Sequence, residues 1–169
     1  MALRAERITR IALLAAAAAV LSYLESLLPL HVFLPLPGFK LGFANVAVLI
    51  TVCFFSPGEA VFVVLVRTLA ASLLFGGMSA FFYSICGGLL SLAVMLPLRE
   101  QLGRRFSLPG ISAAGAAAHN TGQIIAAAVM MRSGAVFGYL PVLLVASLPV
   151  GTLMGVLAAM VCARLDESK

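Results

Sequence analysis

Hydrophobic positions gather into six apolar runs, at about 8–28, 41–55, 60–75, 79–98, 111–131 and 136–164, with polar or proline-rich breaks between them. A helix needs about 20 apolar residues to cross a hydrocarbon core, so these runs read as membrane-spanning helices. The second is short unless tilted. The last is too long for one straight span, and Pro141 and Pro149 are expected to kink or shorten it. Ser56-Pro57-Gly58-Glu59 is a turn signal, with Glu59 suited to the first turn of the next helix. Gly76-Gly77 breaks the third run from the fourth. The stretch 29–40 is apolar, yet Pro29, Pro35 and Pro37 prevent a regular helix there. It reads either as a lid folded over the bundle or as a plain loop at the outer interface.

Composition agrees with the pattern. The chain is 63% hydrophobic and 10% charged, whereas soluble domains carry about 25% charged residues. The expected fold is an all-α integral membrane protein, with residues 1–169 forming a single six-helix transmembrane domain that leaves no room for a soluble catalytic module. The net charge of +5 does not point to nucleic acid, because the basic residues sit at the ends of runs. With six spans, Arg4, Arg7, Arg10, Arg99, Arg104, Arg105, Arg164 and Lys169 fall on the side of the termini. Lys40 and Arg132 fall on the other, so both termini are expected in the cytoplasm. The run after Arg10 also offers signal-peptide cleavage sites at Ala15 to Ala19, but it is long enough to span and is read as the first helix.

Against this background a few polar residues stand out. Gly115-Ala-Ala-Ala-His119-Asn120-Thr-Gly-Gln123 lies inside the fifth run, and Gln123 neighbours both His119 and Asn120 on a helix. Arg67 lies near the centre of the third run. A central arginine costs at least about 2.5–3.5 kcal/mol on insertion scales, so it marks a ligand or a bonded partner. The topology puts Arg67 and the His119 cluster near mid-membrane, Asn45 a turn or so below the outer surface, and Glu25 and Lys40 near that surface. Polar groups then occupy the middle and outer half, as in a cavity open to the outside. The structural alternatives are interfacial placement for Glu25 and Lys40, helix–helix bonding for Asn45 and the His119 cluster, and carbonyl bonding for Arg67.

Cys53, Cys86 and Cys162 are isolated and show no metal or redox spacing, and no cofactor is expected. Two small-residue faces remain, Ala15 to Ala19 on the first helix and Gly151-Thr-Leu-Met-Gly155 on the sixth. Each permits close packing, inside this bundle or against a partner.

Three segments carry a resemblance: Pro37-Gly-Phe-Lys40-Leu-Gly-Phe-Ala-Asn45, Gly87-Gly-Leu-Leu-Ser91 and Ala118-His119-Asn120-Thr-Gly-Gln123. They resemble the signature segments of the bacterial Gx transporter family, also labelled heptaprenyl diphosphate synthase component I. That family is grouped with the substrate-binding S components of energy-coupling factor (ECF) vitamin transporters. The resemblance implies a multi-pass protein of the bacterial cytoplasmic membrane that captures a small molecule. Its partners would be a transmembrane coupling protein and ATPase subunits. It also implies a docking face at Ala15 and Ala19 and a lid at 29–40. The substrate-binding residues would then be Arg67, His119, Asn120, Gln123, Asn45, Lys40 and Glu25.

Prenyl diphosphate synthases chelate magnesium through aspartate-rich motifs. This chain has one aspartate, Asp166, so catalysis is not expected. No phosphate-binding Gly-rich Lys motif is present, so ATP use would belong to a partner. Two functional classes remain: substrate capture for a small anionic or polar-headed molecule (vitamin, flavin or isoprenoid precursor), or a non-catalytic scaffold of a quinone, isoprenoid or redox complex in the membrane.

Overall fold

The computed structural model describes residues 2–27 and 42–167. These form six helices: α1 (Ala2–Ser26), α2 (Asn45–Phe54), α3 (Pro57–Ala71), α4 (Gly77–Arg99), α5 (Leu108–Met131) and α6 (Leu140–Glu167). A π-helical turn, Ser72–Gly76, follows α3, and a 3-10 turn, Gly134–Tyr139, precedes α6. No strand forms among the described residues. The expected lid at 29–40, with Lys40, lies outside them.

Local chemistry sets the boundaries. The Ser56 hydroxyl accepts from the Glu59 N–H at 3.4 Å while the Glu59 carboxylate accepts from the Ser56 N–H at 2.7 Å. This reciprocal cap, with Pro57 at the first helical position, starts α3. Ser107 caps α5 in the same sense, accepting from the Gly110 N–H at 3.3 Å. Arg132, at φ 49°, ends α5 in the left-handed region. Gly77, at φ +70°, lets the chain reverse between α3 and α4.

Consecutive helices run antiparallel. Arg67 of α3 bonds Asn45 of α2. A Cβ at Gly88 of α4 would meet Val64 and Arg67 of α3. Gly122 of α5 lies on Cys86 and Gly87 of α4, and Gly151 and Gly155 of α6 lie on the first half of α5. The α1 helix runs parallel to α3, pinned at one end by Arg7–Glu59 at 2.7 Å and at the other by Tyr23 and Phe75, whose ring centroids are 4.9 Å apart. The start of α1 and the end of α6 therefore lie at the same end of the bundle.

Among the described residues, three helical runs are long and apolar enough to cross a membrane: Ala5–Ser26, Pro57–Arg99 and Gly134–Leu165. Six were expected from the sequence. The middle run has 43 residues and folds back at Gly77, so it contains both α3 and α4. The α5 helix has the length, 24 residues, but its polar cluster dilutes its apolar character. The α2 helix has only 10 residues, about 15 Å.

Among the described residues, two apolar clusters fill the interior. The larger includes Ile11, Val52, Val63, Leu92, Met95, Ile111 and Cys162, toward the end that holds the helix termini. The smaller includes Tyr83, Ile124, Val136 and Leu143, on the other side of mid-bundle. The Arg99 guanidinium closes the lower end by donating to the Phe55 and Cys53 carbonyls at 3.2 and 2.9 Å, a cation on the C-terminus of α2.

Candidate ligand-binding site

A layer of polar side chains separates the two apolar clusters. Along α4 the order is Leu92, then Gly88 and Gly87 with Ser84, then Tyr83. Along α5 it is Ile111 and Ala116, then His119, Asn120 and Gln123, then Ile124. Arg67 and Thr68 enter from α3, Asn45 from the start of α2, and Glu25 from the end of α1. All are buried; Arg67 is 3% exposed, His119 1% and Asn120 0%.

The connections run as a chain. Glu25 Oε1 accepts from the Gly42 N–H at 2.5 Å. A Cβ at Gly42, which sits at φ +93°, would lie 2.8 Å from Asn45 Nδ2 and 3.7 Å from His119 Cδ2. Asn45 Oδ1 accepts from Arg67 Nη2 at 3.3 Å. The Glu25 carboxylate also acts on the Arg67 guanidinium through space, in surroundings where charges are poorly screened. The His119 Nε2 and Gln123 Nε2 atoms are 3.2 Å apart, a bond whose direction follows the imidazole tautomer.

Two glycines make room for this layer. A Cβ at Gly88 would lie 3.1 Å from Arg67 Nη2, and one at Gly87 would lie 3.0 Å from both His119 Cε1 and Gln123 Cγ. Arg67 and His119 thus rest against the two neighbouring members of one glycine pair. Among the described residues, several polar atoms buried here have no hydrogen-bond partner: Arg67 Nε, Asn45 Nδ2, Gln123 Oε1, Asn120 Oδ1 and the hydroxyls of Thr68, Ser84 and Ser91. Buried polar groups are nearly always bonded, so a cluster of open ones offers partners to a polar ligand.

The expected site residues therefore separate. Arg67, Asn45, His119, Gln123 and Glu25 converge on one region. Asn45, expected a turn below the outer surface, stands level with Arg67, because α2 starts at mid-height. Asn120 turns to α6, donating to the Leu143 carbonyl at 3.0 Å. Lys40 lies outside the described residues. Of the expected docking residues, Ala15 points into the core at 4% exposure and Ala19 is half-buried, while Ala12 and Ala16 are exposed. Gly151 and Gly155 pack internally on Ala113, Ser112 and Pro109. Sequence reasoning did not assign the roles of Gly42, Gly87, Gly88, Thr68, Ser84 and Ser91. Gly42, the glycine pair and Ser91 stand inside the signature segments, which was the available signal.

The family model described as heptaprenyl diphosphate synthase component I matches residues 14–161. That match spans every residue of the polar layer and Ala15 to Ala19 of the first helix. No curated protein and no solved structure matches the chain.

Proposed function

The chain belongs to the family described as heptaprenyl diphosphate synthase component I, and from that premise we propose that it is the substrate-binding membrane subunit of an ECF-type uptake transporter. Its cargo is a small molecule with an anionic or polar head, held at the Arg67–Asn45–His119–Gln123 layer. Six spans with cytoplasmic termini complete the reading, supported by the alternating helices and by the basic residues at the terminal end. The observation that carries it is the buried polar layer with open hydrogen-bonding atoms, backed by an apolar cluster toward the termini. A polar layer held between apolar clusters suits capture, whereas a conducting pore needs polar lining throughout. The name component I fits a subunit that works with partners. A single aspartate, Asp166, gives no basis for placing synthase chemistry in this chain.

The test is equilibrium binding. The protein is purified in detergent, its co-purifying small molecules are identified by mass spectrometry, and rebinding is measured for wild type and Arg67→Met. Loss of one charge-assisted contact predicts an affinity lower by about 1.5–3 kcal/mol, roughly ten- to a hundred-fold. Unchanged affinity, or a variant that no longer folds, makes Arg67 a structural strut. A wild-type protein with no saturable small-molecule site is a scaffold instead.

A further inference from the structure

The binding-subunit reading leaves open whether the ligand head is anionic. Among the described residues, Arg67 is the one cation buried in the bundle interior. The remaining described arginines lie outside it: Arg7, Arg10, Arg104, Arg105, Arg132 and Arg164 are exposed, and Arg99 is committed to the end of α2. The interior also holds its own acid. Glu25 is 1% exposed and bonded to Gly42, three residues before Asn45, whose amide oxygen holds Arg67.

This acid occupies the place an anionic ligand would want. A helix N-terminus attracts negative charge, and Glu25 sits at the approach to the α2 N-terminus. The first N–H groups of α2 are already turned inward: Asn45 N donates to the Gly42 carbonyl at 2.9 Å and Val46 N to the Phe43 carbonyl at 3.2 Å. Arg67 gives one Nη2 N–H to Asn45, and Nε is its open donor. A phosphate or diphosphate here would bring further negative charge beside a buried carboxylate, without a matching second cation among the described residues.

The open atoms suit a different head. Arg67 Nε is a donor, the unbonded ends of Asn45 and Gln123 are amide groups, and three hydroxyls can act either way. Resting on the reading above, we infer that this site takes a net-neutral head group, uncharged or zwitterionic, that presents both hydrogen-bond donors and acceptors in the manner of an amide or lactam edge, and that it discriminates against phosphate and diphosphate groups. Glu25 is the positioning residue that sets this preference by neutralising Arg67.

The experiment uses the full chain in lipid nanodiscs as wild type, Glu25→Gln, Arg67→Met and the double variant. Each is titrated with inorganic pyrophosphate at fixed ionic strength, and the small molecules released from wild type are weighed and identified. Wild type is expected not to bind pyrophosphate saturably. Glu25→Gln, with Arg67 unmasked, is expected to bind it at least about tenfold more tightly, and the released molecule is expected to be uncharged or zwitterionic. Saturable pyrophosphate binding by wild type that is lost in Arg67→Met, or a released molecule of net negative charge, overturns the inference and leaves the binding-subunit reading standing. Release of no molecule, with no saturable site, overturns both. If Glu25→Gln fails to fold, the double variant decides. A double variant more stable than Glu25→Gln supports charge compensation, and additive losses refute it.

Discussion

Alanine at Gly88, facing α3, and alanine at Gly122, facing α4, meet different atoms and are expected to fail in different ways. At Gly88 the new methyl would lie 2.8 Å from Val64 Cγ1 and 3.1 Å from Arg67 Nη2. Carbon atoms rest at about 3.5–4.0 Å, so both side chains must recede by several tenths of an ångström. They can, because both are side-chain ends. The Arg67–Asn45 bond is already 3.3 Å long, and a shift of that size breaks it. Losing a charge-assisted bond costs about 1.5–3 kcal/mol, while alanine for glycine in a helix returns up to about 1 kcal/mol. Gly88→Ala is therefore expected to unfold within about 2 kcal/mol of wild type and to bind ligand roughly tenfold more weakly. At Gly122 the methyl would meet the Cys86 carbonyl oxygen at 2.6 Å, Gly87 Cα at 2.8 Å and Cys86 C at 2.9 Å. These are backbone atoms and cannot step aside, so α4 and α5 must part along the seam. Overpacking of this kind costs about 1–3 kcal/mol beyond any local relief, and the whole polar layer loosens with it. The chain has no tryptophan, so stability is best followed by far-UV circular dichroism during thermal or SDS unfolding, with binding measured on the same samples. A Gly122→Ala protein as stable as wild type refutes the close approach of α4 and α5. A Gly88→Ala protein with native affinity refutes the placement of Arg67.

Three other outcomes follow from the same geometry. With Cys53, Cys86 and Cys162 replaced, single cysteines at Arg105 and Ser133 should be labelled from opposite faces of the membrane, the first from inside; labelling of both from one face rules out the alternating six-span arrangement. Leucine at Ala12 and Ala16 should reduce co-purification with an energising membrane partner while sparing ligand binding, whereas leucine at buried Ala15 should damage the fold itself; unchanged co-purification in the Ala12/Ala16 variant means that α1 faces lipid. Arg7, and then the Ser56 N–H and hydroxyl, hold the Glu59 carboxyl down at about 2 from 4.5. A depressed folded-state value stabilises above the unfolded value and fades as pH falls toward about 2. Unfolding midpoints should thus drop more steeply over that window for wild type than for Glu59→Gln, and parallel curves would remove the pair from any role in stability.

Much of the architecture was legible because bilayer-length apolar runs, the Ser56 cap and the Gly76-Gly77 break are one-dimensional signals. Arg67 and His119 were legible because polar groups are costly in such runs. Faces were harder. An alanine run has no hydrophobic periodicity, so nothing in 15–19 says that Ala15 turns inward and Ala16 outward. His119 and Asn120 are adjacent on one helix, about 100° apart, and cannot address the same neighbour; only the packing of α6 shows that Asn120 serves Leu143. The glycines were visible as letters, but their role depends on what lies opposite, which one chain of letters does not specify.

The height of the polar layer follows from the length of α2. Its 10 residues rise about 15 Å from Phe54, and Arg67 stands ten residues beyond Pro57 on the antiparallel α3, the same rise. Asn45 and Arg67 therefore meet where α2 begins. An α2 of full bilayer length would carry apolar side chains past this level and enclose Arg67 against hydrocarbon. Stopping the helix at Gly42 and Asn45 instead presents a backbone turn, an amide and the Glu25 carboxylate to the guanidinium. Gly42 at φ +93° and its closeness to Asn45 make that stop dependent on a missing Cβ. The short helix that hydropathy alone would score as a weak span is thus what creates a polar floor halfway through an apolar bundle.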